Sequence, residues 1–123
     1  MDTVKIGIIG TGWIAEKMAM TLEGMEGAEA YAVASRQLQT ACDFADRWGF
    51  TRAYGSYEEM LDDEEVELVY IATPHSHHFE HARMSLLKGK AVLCEKAFTA
   101  NARQAEELLN LAKEKELFIT EAI

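Results

Sequence analysis

The apolar residues of this chain alternate between two spacings, a continuous run typical of a buried strand and a three-to-four-residue repeat typical of a helix. The first run covers residues 4–10, and Ile14, Met18 and Leu22 then follow four residues apart. The same alternation recurs along the chain. It predicts strands at residues 4–10, 30–35, 52–54, 66–73, 91–94 and 117–120, and helices at residues 13–22, 38–48, 79–86 and 102–112, with a short helix after Ser56.

Strands that are apolar on both faces and alternate with helices predict an α/β fold with a parallel sheet covered on both sides. Because crossovers between parallel strands are right-handed, a doubly wound sheet is the natural arrangement. Neither an internal repeat nor a linker interrupts the pattern, so we expect one domain over residues 1–123.

Composition and charge exclude several kinds of binding partner and several classes of protein. Apolar residues make up 49% of the chain, which excludes disorder, and no apolar run approaches the roughly 20 residues that span a bilayer. Lys and Arg number 12 against 21 Asp and Glu, a formal charge of −9, so we expect no binding to nucleic acid. The amino terminus lacks the apolar segment of a secretory signal, and Cys42 and Cys94 form no CxxC pair. We therefore expect a reduced, cytoplasmic protein without a membrane partner.

A glycine-rich turn, Gly10-Thr11-Gly12-Trp13-Ile14-Ala15, follows the first strand and fits G-x-G-x-x-[GA]. The first glycine permits a tight turn, the second lets the backbone approach a diphosphate, and the alanine lets the helix pack closely on the strand. The helix N-terminus adds free amides and a partial positive charge, and we expect Glu16 to point away from it. These features predict a dinucleotide-binding loop at residues 10–14. The alternative is an ordinary turn, which would not explain why residue 12 is a glycine.

The end of the second predicted strand, Ala34-Ser35-Arg36-Gln37, carries no carboxylate. An acid at this point would bind the 2′-hydroxyl of NAD, whereas an arginine accommodates the 2′-phosphate of NADP. Ser35 can hydrogen-bond a phosphate, and Arg36 can pair with it or stack on adenine. We predict NADP as the cofactor and leave NAD open. The alternative is that Arg36 is a solvated residue opening the next helix.

The histidines all lie in the segment from Pro74 to His81. His77 and His81, four residues apart on a predicted helix, raise the question of a metal site, but the H-E-x-x-H pattern is absent. The segment follows the carboxyl end of a strand, where doubly wound sheets bind ligands. We expect no metal: His75 contacts the cofactor, His78 packs at the start of the helix, and His77 and His81 are solvated.

A lysine follows another predicted strand, within Cys94-Glu95-Lys96-Ala97. At that edge of the sheet a lysine lies beside the expected nicotinamide, where it holds a substrate hydroxyl or relays a proton. Partial desolvation near other cations lowers its basicity, which suits this role. The alternative is a surface lysine paired with Glu95.

Four segments together resemble the amino-terminal domain of the Gfo/Idh/MocA oxidoreductase family. They are GIIGTGWIA at 7–15, ASR at 34–36, VYIATPHSHH at 69–78 and LLKGKAVLCEKAFTAN at 86–101. Within the family the chain looks most similar to the branch containing dihydrodiol dehydrogenase, which tends to use NADP. The resemblance implies an NAD(P)-dependent oxidoreductase that acts on a sugar, a cyclitol or a related hydroxyl or carbonyl compound.

The resemblance also implies roles for individual residues. It assigns the pyrophosphate to Gly10, Gly12 and Ala15, the adenosine ribose to Ser35 and Arg36, and the remaining length of the cofactor to Thr73, Pro74, His75 and His78. Glu95 matches the acid of the family's EKP motif, and Lys96 matches its catalytic or substrate-orienting lysine. Ala97 replaces the proline of that motif, which removes a rigid bend after Lys96.

Members of this family carry a second α+β domain that supplies the substrate pocket and usually the oligomer interface. We therefore expect this chain to be the amino-terminal part of a longer homo-oligomeric enzyme, able to bind nucleotide but nearly inactive alone. The alternative is a non-catalytic dinucleotide-sensing or interaction module on the same fold. Ala97 supports that alternative, and the intact Glu95-Lys96 pair opposes it.

Overall fold

The computed structural model describes residues 3–73, 77–94 and 102–121, in which strands and helices alternate strictly. The strands are Val4–Ile9 (β1), Ala28–Ala34 (β2), Arg52–Tyr54 (β3), Leu68–Ile71 (β4), Ala91–Cys94 (β5) and Ile119–Glu121 (β6). The helices are Trp13–Glu23 (α1), Leu38–Trp48 (α2), Tyr57–Leu61 (α3), His78–Leu87 (α4) and Ala102–Glu114 (α5).

The six strands form one sheet in the order β3-β2-β1-β4-β5-β6, and every pairing is parallel. The prediction of a doubly wound parallel sheet is therefore confirmed. The strand order reverses between β1 and β4, and such a reversal is where sheets of this kind open a crevice for ligands at the carboxyl ends of the strands.

Two apolar clusters lie on opposite faces of the sheet, which explains why the buried part of each central strand is apolar on both faces. On one face Ile8 packs with Val33, Phe44 and the inner side of α1. On the other face Ile9 belongs to a cluster with Leu86 and Leu108, from α4 and α5. Neighbouring residues of one strand thus enter different cores, as the strand period of two requires.

Several elements begin or end one or two residues from their predicted bounds, and two of these differences have an identifiable reason. The strand predicted at 66–73 forms ladder pairs over Leu68–Ile71, and it starts late because the Val66 amide closes a turn by donating to the Asp63 carbonyl at 3.2 Å. The last strand begins at Ile119 because the Leu117 amide donates to the Ala112 carbonyl at 2.8 Å and so closes the end of α5. In the described part of the chain, no helix combines the length and the apolar character needed to cross a bilayer.

Candidate functional site

Gly10 sits where the ends of three strands meet. Its amide donates to the Ala34 carbonyl at 2.9 Å, and its φ of +111° is one that residues with a Cβ rarely adopt. A Cβ at this position would lie 3.1 Å from the Ala72 carbonyl oxygen and 3.3 Å from the Thr73 methyl carbon. The turn after β1 therefore requires glycine here, and it brings the loop against the ends of β2 and β4.

Gly12 opens α1 and leaves the helix N-terminus unobstructed. It takes extended backbone angles (φ −78°, ψ −170°), makes no side-chain cap, and a Cβ built on it would meet nothing within 4 Å. The first bond of the helix runs from the Glu16 amide to the Gly12 carbonyl at 3.1 Å, so the amides of residues 12–15 have no carbonyl within the helix to bind. The open space beside Gly12 and the free amides therefore lie together at the positive end of the helix dipole, and such an arrangement binds an anion.

The carboxylate of Glu16 and the ammonium of Lys17, both on the first turns of α1, are each held by another side chain. Glu16, which stands in the first turn of α1, turns toward Arg47 on α2, with 3.4 Å between the carboxylate and the guanidinium. Trp13 is 66% exposed, and the Lys17 ammonium lies 4.8 Å from the centre of its ring. The expectation that Glu16 points away from the loop thus holds, and the Trp13 indole stands at the surface beside the site.

A groove of about 380 Å³ runs from this loop across the carboxyl ends of β2 and β4. Its walls combine the turn after β1, the residues that follow β2, the first residue of α3 and the residues that follow β4. The residues that line it are Gly10, Thr11, Gly12, Trp13, Ile14, Ser35, Arg36, Tyr57, Ala72 and Thr73. Eight of them were singled out from the sequence, and the fold brings these eight together although they come from three separate segments.

The residues after β2 form the far wall of the groove. The Ser35 amide donates to the Tyr54 carbonyl at 3.1 Å, which extends the pairing of β2 with β3, and the Ser35 hydroxyl accepts from the Gln37 amide at 3.4 Å. Arg36 is exposed and lines the groove opposite the loop. Burial raises the pKa of Tyr57, and the nearby Arg36 charge opposes that rise. A cation and a phenol therefore share this end of the groove.

Two histidines of α4 hold Thr73. His78 Nε2 donates to the Thr73 carbonyl oxygen at 2.7 Å, and His81 Nδ1 lies 2.7 Å from the Thr73 hydroxyl oxygen. His78 is buried at the first position of α4, as expected, and His77 is exposed. The expectation that His81 is solvated is wrong, because its side chain is only 7% exposed and packs edge-on against the Tyr57 ring.

One of the remaining sequence-predicted residues, His78, lies in the described part of the chain. Pro74, His75, Glu95 and Lys96 lie outside the described residues. His78 holds Thr73 but does not itself line the groove. Tyr57 and Ala72 line the groove, but the sequence did not single them out. Tyr57 directly follows the Ser56 cap, whose hydroxyl accepts from the Glu59 amide, so the sequence does indicate its position at the start of a helix. Within the described ranges, no group of three or more His, Cys, Asp or Glu is arranged to hold a metal ion.

The parallel sheet, the glycine turn and the open helix N-terminus define a nucleotide-binding α/β domain. The chain matches the model of an oxidoreductase family with an NAD-binding Rossmann fold, the Gfo/Idh/MocA family, over residues 4–122. The chain belongs to this family, and the resemblance stated from the sequence is confirmed.

Several proteins of known name are similar to the chain. A D-xylose 1-dehydrogenase (NADP(+)) of Hypocrea jecorina is 44% identical over 98% of the chain, and the human trans-1,2-dihydrobenzene-1,2-diol dehydrogenase is 40% identical over 95% of it. A 3-ketoreductase of Actinomadura kijaniata, solved with NADP, superimposes with a TM-score of 0.92 at 34% identity over 98% of the chain. The chain covers 34%, 36% and 38% of these three proteins, respectively, so it spans about a third of the length of the relatives it matches.

Proposed function

We propose that this chain binds NADP(H) in the groove at the carboxyl ends of β1, β2 and β4. The observation that carries the proposal is the free space at Gly12 beside amides with no carbonyl to bind within the helix. A diphosphate fits this feature, because it would accept hydrogen bonds from the backbone where a side chain is missing. In this proposal residues 10–14 hold the diphosphate, and Thr73 bounds the cofactor on the side of β4.

The preference for NADP over NAD rests on the end of β2. Ser35 and Arg36 line the groove where a carboxylate would otherwise hold the ribose hydroxyls. A guanidinium pairs well with the 2′-phosphate of NADP, which NAD lacks. The names of two relatives agree with this preference, because the xylose dehydrogenase is named for NADP(+) and the 3-ketoreductase was solved with NADP.

We further propose that the chain is the cofactor-binding part of an enzyme that oxidises or reduces a sugar, a cyclitol or a related compound. The nicotinamide, when bound, accepts or donates a hydride, and the protein must then move a proton to or from the substrate oxygen. Lys96 is the group we propose for that proton, on the strength of its match to the family's EKP motif. A homo-oligomeric state and a cytoplasmic setting belong to the same proposal.

A titration tests the cofactor assignment directly. Trp13 is exposed in the loop, so its fluorescence should respond when NADPH or NADH binds, and we expect NADPH to bind more tightly. Arg36→Ala should weaken NADPH about 10- to 100-fold, the equivalent of one lost charge-assisted hydrogen bond, and should leave NADH nearly unchanged.

A matched control comes from Arg83, which is also exposed but lies on α4 outside the groove. Arg83→Ala should change neither affinity. Equal weakening of both dinucleotides by Arg36→Ala would refute the role in NADP preference, and no binding of either dinucleotide to the unaltered chain would refute the assignment of the groove itself.

A further inference from the structure

Thr73 is the point at which the residues after β4 touch the glycine turn. It lines the groove, and its methyl carbon would lie 3.3 Å from a Cβ built on Gly10. Two histidines of α4 bond to it, His78 at its carbonyl oxygen and His81 at its hydroxyl, each over 2.7 Å. Since residues three positions apart share a helix face, one face of α4 holds both the backbone and the side chain of Thr73.

The two bonds restrict different motions of Thr73. The bond from His78 fixes the backbone after β4, whereas the bond at the hydroxyl fixes the torsion about the Cα–Cβ bond. Threonine occupies discrete rotamers about that bond, and a change of rotamer by about 120° would move the methyl group away from the glycine turn. The contact with His81 therefore keeps the methyl group, and not the hydroxyl, against Gly10.

His81 can hold another side chain because its own ring is held in place. The side chain is 7% exposed, and the ring packs edge-on against Tyr57 and stacks on His77, with centroids 4.8 and 5.6 Å apart. Burial first, and then the neighbouring His77, lower the pKa of His81 below its usual value of 6.5. The ring is therefore uncharged near neutral pH, and in either neutral tautomer Nδ1 can bond to a hydroxyl, as a donor or as an acceptor.

We propose that His81 is a positioning residue of the dinucleotide site, which holds Thr73 in the rotamer that shapes the groove beside the glycine turn. The inference rests on the proposed function, because the position of this wall matters only to a molecule bound in the groove. A wall that is ordered before binding does not have to be ordered by the ligand, so the contact should raise affinity. NADH and NADPH share the diphosphate that lies at the turn, and both should therefore depend on His81 to the same extent.

His81→Leu is the first test, because it removes the hydrogen bond and keeps a buried apolar side chain. We expect it to weaken NADH and NADPH by the same factor, about 3- to 10-fold, the equivalent of one neutral hydrogen bond. Fluorescence titrations measure this factor, and a urea unfolding curve verifies that the variant is folded. Weakening of NADPH alone would mean that His81 acts on the 2′-phosphate, and it overturns the proposal. Unchanged affinity for both dinucleotides also overturns it.

Two amide variants separate positioning from the filling of space. The short side chain of His81→Asn brings its amide to the place of Nδ1, so it can still bond to the Thr73 hydroxyl. The side chain of His81→Gln is closer to histidine in volume, but its amide reaches the place of Nε2 instead. We expect His81→Asn to bind both dinucleotides within about twofold of the unaltered chain, and His81→Gln to resemble His81→Leu. A side chain that only fills space gives the reverse order, and that order or equal affinities of the two amide variants overturns the proposal.

Thr73→Val tests the same bond from its other end, since it removes the hydroxyl and keeps the methyl group. It also provides the answer if His81→Leu does not fold, because valine and threonine have nearly the same shape. We expect it to weaken both dinucleotides, and we expect its effect and that of His81→Leu not to add in the double variant. Additive losses, or unchanged affinity in Thr73→Val, overturn the proposal. If the unaltered chain binds neither dinucleotide, the proposed function fails as well, whereas unchanged binding by the variants overturns the role of His81 alone.

Discussion

Replacing Gly12 by alanine should abolish most dinucleotide binding without harming the fold. The backbone angles at Gly12 are open to any residue, and a Cβ there meets nothing within 4 Å, so the folded chain accommodates the methyl group. Alanine is a poorer helix cap than glycine but restricts the unfolded chain more, and these two effects are each below about 1 kcal/mol and opposite in sign. The free energy of unfolding should therefore change by less than about 1 kcal/mol.

The effect of Gly12→Ala on binding follows from the same geometry. The methyl group occupies the space through which the diphosphate would approach the amides of residues 12–15. Losing one or two charge-assisted hydrogen bonds, each worth about 1.5–3 kcal/mol, corresponds to roughly a 10- to 20,000-fold weaker affinity. The assays are a denaturant unfolding curve and a fluorescence titration with NADPH. Unchanged affinity in a folded Gly12→Ala variant would refute the backbone cradle.

Gly10→Ala is the matched control because it should give the opposite pattern. Its φ of +111° disfavours a Cβ, and the added carbon would stand 3.1 Å from the Ala72 carbonyl oxygen. Strain of this kind costs on the order of 1–3 kcal/mol, which the unfolding curve should show. Gly10 and Gly12 of one motif thus have separate roles, Gly10 in the fold and Gly12 in ligand binding.

Two further predictions concern other parts of the molecule. Asp63 accepts from the Tyr31 and Tyr54 hydroxyls at 2.9 and 2.6 Å; burial alone would raise its pKa, but these bonds and one from the Glu65 amide outweigh it and lower the pKa below 3.8. Asp63→Asn should therefore lower the free energy of unfolding by roughly 1–2 kcal/mol at neutral pH, a loss that solvent screening of the carboxylate limits. The difference in free energy of unfolding between the variant and the unaltered chain should shrink as the pH falls below 3.8, and urea unfolding measures it. Lys96→Ala, made in a longer protein that carries this chain, should lower kcat about 100-fold or more while the dinucleotide Kd changes little; an unchanged kcat would remove Lys96 from the proposed chemistry.

The fold was predictable because the sheet is covered on both sides. The buried part of each central strand had to be apolar on both faces, and each helix had to be apolar along one stripe, so the two periods separated clearly in the sequence. The strand ends were less predictable, since they depend on which amides close a neighbouring turn. Val66 and Leu117 are apolar and sit next to strands, yet their amides bond to Asp63 and Ala112 instead of to the ladder.

The site was predictable where its residues are consecutive in the chain. The loop at residues 10–14 and the Ser35-Arg36 pair each occupy one segment with a known spacing, and the parallel sheet brings those segments to the same edge. Tyr57 lines the groove and His81 holds Thr73, but neither was found in this way, because they come from two helices that are separated by β4 in the chain. Their approach depends on how α3 and α4 pack on the sheet, which no local spacing encodes.

The burial of His81 follows from its place on α4. His78, Ala82 and Ser85 are buried and stand three, one and four positions away, so His81 shares the inner face of the helix. His77 is the N-cap that precedes the helix, and it is exposed although its ring stacks on that of His81. The pair of histidines four residues apart suggested equal surroundings, but only one member lies against the sheet. That member holds Thr73, and Thr73 in turn stands against Gly10 in the turn after β1. Helix α4 therefore fixes one wall of the groove through the His81 side chain, which no nucleotide motif would have singled out. The contact between His81 and Thr73 links the geometry of the glycine turn to the packing of α4 on the sheet.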